Sequence, residues 1–413
     1  MPSIRKSLLQ FVFSGAFMKR WNDKLRPMEL LEIDKQAHKM VVAWALFMCN
    51  SRGLSGEERL RLGGEIAEGG LFDYFYRLVI TDIKPPIFYQ IKANPEHYRK
   101  LTRWVLERME PRVQTLGPEF WERLRAYFAA DENTLSRRIL SAAHTFASGW
   151  EFNLIKGINP RDDEFQEIDE SFNKSLAEHA DLVGVDELMA GWESPLGRFG
   201  HLTGQLRFQK RWSQTPRIPE TSVLGHMFTV ACYAYFFSLT VGACRARCQN
   251  NFYAGLFHDL PELLTRDIIS PVKRSVDYLA DLVNEYERKE LTRRVFEPLQ
   301  AGGHGDICER LAFFLGLGTG SEFHDTALVD GRPVRTDFAG LQAGYNEDRF
   351  DPKDGELLKI CDIMAAFIEA YTALRNGISS DQLQAAIWRM RSKYGRVSLG
   401  DAVHVGALLA DFD

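Results

Sequence analysis

Apolar residues recur at three- and four-residue spacing through residues 96–109 (EHYRKLTRWVLERM), 119–130 (EFWERLRAYFAA) and 381–394 (DQLQAAIWRMRSKY). That is the period of amphipathic helices, and it dominates the chain. Strand-like alternation is scarce. The exception is residues 325–338 (DTALVDGRPVRTDF), where Asp330-Gly331 predicts the turn of a small hairpin. It sits in a Gly-rich, irregular stretch, 300–350, that reads as an insertion. The expected class is therefore all-α, with a small irregular or hairpin insertion.

Two apolar runs need separate readings. Near the N-terminus, Arg5 and Lys6 precede a run that Gln10 interrupts and Lys19 and Arg20 close, with no small-x-small cleavage site. This predicts an amphipathic first helix rather than a secretory leader. Residues 221–244 (TSVLGHMFTVACYAYFFSLTVGAC) hold 24 positions without Asp, Glu, Lys or Arg, enough to cross a bilayer. The run contains His226 and several Ser, Thr and Tyr, so a helix buried on all sides is expected and no membrane span.

The pattern also repeats. Lys19-Arg20-Trp21 returns as Lys210-Arg211-Trp212. In each case a Glu and, six residues later, a His follow: Glu32 and His38, then Glu220 and His226. Matched this way, the first copy has three extra loop residues. Residues 70–87 (GLFDYFYRLVITDIKPPI) and 255–272 (GLFHDLPELLTRDIISPV) share seven of 18 positions without a gap. Two ordered blocks predict an internal duplication. Its units would be 1–190 and 200–413, parted near the Gly- and Pro-bearing GWESPLGRFG. The copies differ at polar positions. His258 falls opposite Asp73, Asp259 opposite Tyr74, Glu262 opposite Arg77, and Asp362 opposite His144.

Only the second copy holds a coherent set of chemical groups. On a continuous helix, His258 and Glu262 share a face, with Asp259 beside them. His226 lies in the preceding apolar helix and Asp362 in a later one. His226, His258, Asp259 and Asp362 form a two-nitrogen, two-oxygen set suited to one divalent ion of the Mn, Fe, Co, Zn or Ni type. Such an ion activates water and polarises a phosphoryl oxygen. Glu262, not needed as a ligand, is placed for proton transfer.

This order of residues resembles the HD superfamily of metal-dependent phosphohydrolases. Residues 205–275 and 355–375 are similar to its bacterial 5'-deoxynucleotidase branch, on Arg211-Trp212, His226, HDLPE (258–262), TRD (265–267) and PVK (271–273). The resemblance implies an all-helical fold, which with the duplication gives two tandem HD-like domains, the first degenerate. It implies one divalent ion (Mn, Co, Fe, Zn, Ni or Mg) and hydrolysis of a nucleotide or another phosphomonoester. It further implies a water-orienting or capping role for Asp267, and phosphate, sugar or base contacts for Arg211, Trp212 and Lys273. The chain departs from that pattern in its insertion, its N-terminal copy, and Gly225, where the family usually carries a Glu before the first His. A two-metal enzyme of the phosphodiesterase or di-iron oxygenase type would recruit His304 and His324. A nucleotide-binding protein without turnover would have no need of Glu262.

Charge and cysteines narrow the setting. A net charge of −5 gives no field for nucleic-acid binding. Six scattered cysteines without a CxxC pair fit a reduced, cytoplasmic compartment. A homo-oligomer is left open.

Overall fold

The computed structural model describes residues 3–130, 132–160, 162–265 and 278–413. Helices dominate, as the spacing predicts. Among the described residues the strands form two antiparallel pairs. One is the expected hairpin, β1 (Thr326–Val329) with β2 (Arg332–Arg335). Its turn residues Asp330 and Gly331 both take positive φ, 51° and 74°, which is why Gly follows Asp there.

Seven helices frame the polar clusters. They are α1 (Lys6–Phe13), α2 (Glu32–Asn50), α3 (Gly56–Ile80), α4 (Leu135–Ile155), α5 (Val223–Thr240), α6 (Arg245–Phe257) and α7 (Gly355–Arg375). The apolar run is α5, buried almost throughout and packed against α2, α6 and α7. By length and composition alone it could cross a membrane; here its apolar girth is covered by protein. Helix α1 buries Leu8, Leu9 and Val12, and the Tyr233 hydroxyl of α5 donates to the Leu9 carbonyl at 2.8 Å.

The main hydrophobic core runs from Ile4 to Phe412 and draws on both halves of the chain. At the junction, Ser222 donates its hydroxyl to Asp34 of α2 at 2.6 Å while capping the N-terminus of α5 by accepting from the Gly225 N–H. A Cβ on Gly225 would meet Asp34 Oδ1 at 2.6 Å. Glycine at that position is thus the cost of bringing α2 so near the start of α5.

Candidate metal centre

The His-Asp pair does not lie on a continuous helix. Helix α6 ends at Phe257, His258 is its C-cap, and residues 258–261 form a turn containing Pro261. Glu262 opens a separate short helix, Glu262–Thr265. The expected shared face of His258 and Glu262 is therefore absent, because a proline cannot extend the helix through that point. The turn instead aims the pair toward the first turns of α5, which carries His226. The His226 and His258 rings lie 5.4 Å apart.

His226, His258 and Asp259 each offer a ligand atom, all within 4.8 Å of one another. His258 Nε2 approaches Asp259 Oδ2 to 3.2 Å, and His226 Nε2 lies 3.8 Å from the same oxygen. Asp362 joins through His226, its Oδ1 3.1 Å from Nε2, while its Oδ2 accepts from Lys359 at 2.8 Å. The predicted quartet thus assembles, with Asp362 at the edge of a tighter group of three.

The fit to a cation rests on His258. Its Nδ1 lies 2.8 Å from the Gly255 carbonyl, which can only accept, so Nδ1 carries the proton. The buried Nε2 has no hydrogen-bond partner; its close approach to Asp259 lacks hydrogen-bond geometry. A locked tautomer with an orphaned lone pair is the state a metal-ligating histidine needs. The neighbouring carboxylates also favour a second proton on Nε2, which a bound cation would displace. Burial alone would lower the His258 pKa, but Asp259, then Asp362, carry it up to about 9. Burial would raise Asp259, yet His258, Arg211 and His226 hold it well below the usual carboxylate range. Asp362 is depressed too, against burial, by Lys359 and His226.

Behind the ligands stands Glu369, which sequence reasoning missed. It is two turns beyond Asp362 on α7 and 2% exposed. It accepts from Trp212 Nε1 at 2.8 Å, from the Thr221 hydroxyl at 2.9 Å and from Arg211 Nε at 3.4 Å. His226 Nδ1 lies 3.5 Å from it. Burial opposes its ionisation, but Arg211, His226 and Arg217 keep its pKa low. Glu369 thus stands beside the ligating imidazole, whose Nδ1 makes no hydrogen bond. Arg211 also reaches Asp259 at 3.3 Å. The mapped bonds of Arg211 and Trp212, expected at the substrate, tie Glu369 and Asp259 in place. The one available sequence signal was an acidic residue inside the apolar run AAFIEAY.

The remaining expected residues divide. Asp267 and Lys273 lie outside the described residues. His304 sits between Glu187, at 2.7 Å, and Arg52, at 3.1 Å; His324 bonds the Thr319 carbonyl at 2.9 Å. Neither belongs to the His226–His258–Asp259 group. A cavity of about 530 Å³, lined by Trp44, Arg59, Tyr253 and Arg310, opens beside the first turns of α6, away from the ligand pair beyond its end.

A second polar cluster occupies the first half. Glu151 of α4 accepts from Arg20 Nε at 2.7 Å and from Trp21 Nε1 at 3.1 Å, as Glu369 does from Arg211 and Trp212. Trp21 and Trp212 share an unusual positive φ, 56° and 55°. Lys19 bridges Leu31 as Lys210 bridges Ser222, and Arg20 N bonds Leu30 O as Arg211 N bonds Thr221 O. The spacing is equal in each pair, so the expected three extra loop residues do not exist. Matched by these bonds, His226 corresponds to Lys35, not to His38. His38 instead faces the Gly200 carbonyl at 2.8 Å.

Residues 203–391 match the model of a family described as HD domain. No curated protein and no solved structure gives a match.

Proposed function

With an HD domain at residues 203–391 supporting membership of the HD superfamily, we propose that the chain is a metal-dependent phosphohydrolase acting on a nucleoside monophosphate or a similar phosphomonoester. The observation that carries this reading is His258: Nδ1 committed to a carbonyl, Nε2 buried and unmatched, beside Asp259 and His226. His226, His258, Asp259 and Asp362 would hold a divalent ion, which when bound would supply positive charge for a phosphoryl oxygen and lower the pKa of water.

The chain's own residues do the rest. Glu369 places its charge beside Nδ1 of His226 and keeps Arg211 and Trp212 against the ligands. Lys359, 40% exposed and bonded to Asp362, presents an ammonium beside the ligand group, where it would draw in a phosphate dianion. Glu262, half-buried just past the ligand pair, receives and returns the proton of the attacking water. Asp267 and Lys273 keep the roles the family resemblance gives them. The first half is read as a degenerate copy, with units at 1–190 and 200–413 fused across one core.

The test is phosphate release from a panel of ribo- and deoxynucleoside monophosphates, with Mn, Co or Mg supplied and with chelator. Release from at least one member, abolished by chelator, supports the reading. Metal-independent release, or none from any member, ends it.

A further inference from the structure

The first half's cluster replaces a metal ligand with a cation. Lys35 stands where His226 stands in the second half, and its Nζ lies 2.8 Å from Nδ1 of His144, the counterpart of Asp362. The lysine side chain is 4% exposed, and its nearest carboxylate, Glu32, is 3.6 Å away. Glu32 is engaged through Oε2 by Arg20 at 2.8 Å and Arg77 at 3.2 Å, while its Oε1, toward Lys35, makes no hydrogen bond. Asp73, opposite His258, is neutralised by Lys39 at 2.5 Å and accepts from Tyr127 at 3.0 Å. The ion pairs of this cluster use five cations (Arg20, Lys35, Lys39, Arg77, Arg207) and four carboxylates (Glu32, Asp73, Asp82, Glu151).

The cluster is reached from solvent. His144 is exposed, and Asp73 and Arg77 are 35% and 22% exposed. Lys35 is buried against His144. The field there is positive. Lys35, then burial, Lys39 and Arg20 hold His144 neutral. Burial first, with Arg20, Lys39 and Arg77, lowers the Lys35 pKa to about 7, against the pull of Glu32. Both groups are pushed toward their uncharged forms, Lys35 chiefly by burial and His144 chiefly by Lys35, so an anion beside them would be met by groups ready to gain charge.

We propose that this solvent-facing cluster is a second phosphate site, in which Lys35, with His144 and Arg77, takes a tetrahedral oxyanion and releases it unchanged. A bound oxyanion would hold Lys35 in its ammonium form, which then supplies the charge that an ion would supply in the second half. Among the described residues the only three-residue metal-ligand group is the one at His226, so no hydrolytic centre accompanies this cluster. The choice of phosphate rests on the phosphohydrolase reading.

The test uses the full chain as Asp259→Asn in chelator, which silences the metal centre. Its melting temperature is followed against inorganic phosphate and, separately, a deoxynucleoside monophosphate, at ionic strength matched with chloride. The account expects saturable stabilisation, weakened at least about tenfold by adding Lys35→Met and retained by Lys35→Arg. Stabilisation by phosphate alone identifies the free ion as ligand; stronger stabilisation by the nucleotide identifies the ester. Should Lys35→Met fail to fold, Arg77→Gln at the rim gives the same reading. No stabilisation of Asp259→Asn, or stabilisation indifferent to Lys35→Met and Arg77→Gln, overturns the proposal. Failure of the hydrolase reading shows separately, as wild-type protein with metal that releases no phosphate.

Discussion

Trp212 donates its indole N–H to Glu369 at 2.8 Å, so a residue with the look of a nucleotide-stacking platform serves as a strut. A hydrogen bond to a charged group contributes about 1.5–3 kcal/mol. Trp212→Phe is expected to lower stability by about that amount and to lower kcat and metal affinity, with KM for the nucleotide nearly unchanged. Steady-state kinetics at saturating and limiting metal check this. A rise in KM alone would return Trp212 to the substrate.

Glu369→Gln removes the carboxylate that faces His226 and gathers Arg211, Trp212 and Thr221. Loss of such a partner typically costs 10–100-fold in metal affinity. Competition with a chromophoric chelator should show a loss of that size while far-ultraviolet circular dichroism stays helical. Unchanged affinity would leave Glu369 a structural ion-pair partner only.

Gly225 offers a test of the junction between the halves. A methyl group there meets Asp34 Oδ1 at 2.6 Å and Ile33 Cγ2 at 3.0 Å. Gly225→Ala should cost about 1–3 kcal/mol by urea denaturation. Combining it with Asp34→Ala should cost less than the two changes summed, because the clash is removed. Strict additivity would mean that α2 and the start of α5 move apart freely.

Lys35 gives a pH signature. Its pKa is lowered from 10.5 to about 7 in the folded protein, first by burial. Between those values the unfolded chain binds a proton that the folded one does not, so this group makes stability rise with pH. Below about 7 its penalty is constant. The melting temperature of wild type relative to Lys35→Met should therefore climb from pH 7 toward 10.5. A flat difference would mean that Lys35 keeps an ordinary pKa.

Much of this was legible in residue order. The helical period, the 330–331 turn and the convergence of His226, His258, Asp259 and Asp362 follow from spacing and residue type. Other features were not. Pro261 breaks the helix that would have joined His258 to Glu262, and its neighbours' helical spacing hid this. Identical letters drew His38 against His226, whereas backbone bonds set the register three residues earlier, at Lys35. Glu369 was passed over because a buried acid in an apolar helix declares no partner until Trp212 and Thr221 are folded against it.

The central claim is that His258 offers its Nε2 to a cation. Metal content per chain, measured on wild type and on His258→Ala after identical purification, tests it most directly. The account predicts one divalent ion in wild type and none in a still-helical His258→Ala. Equal metal in both proteins, or phosphate release by a wild-type chain that holds none, would contradict it.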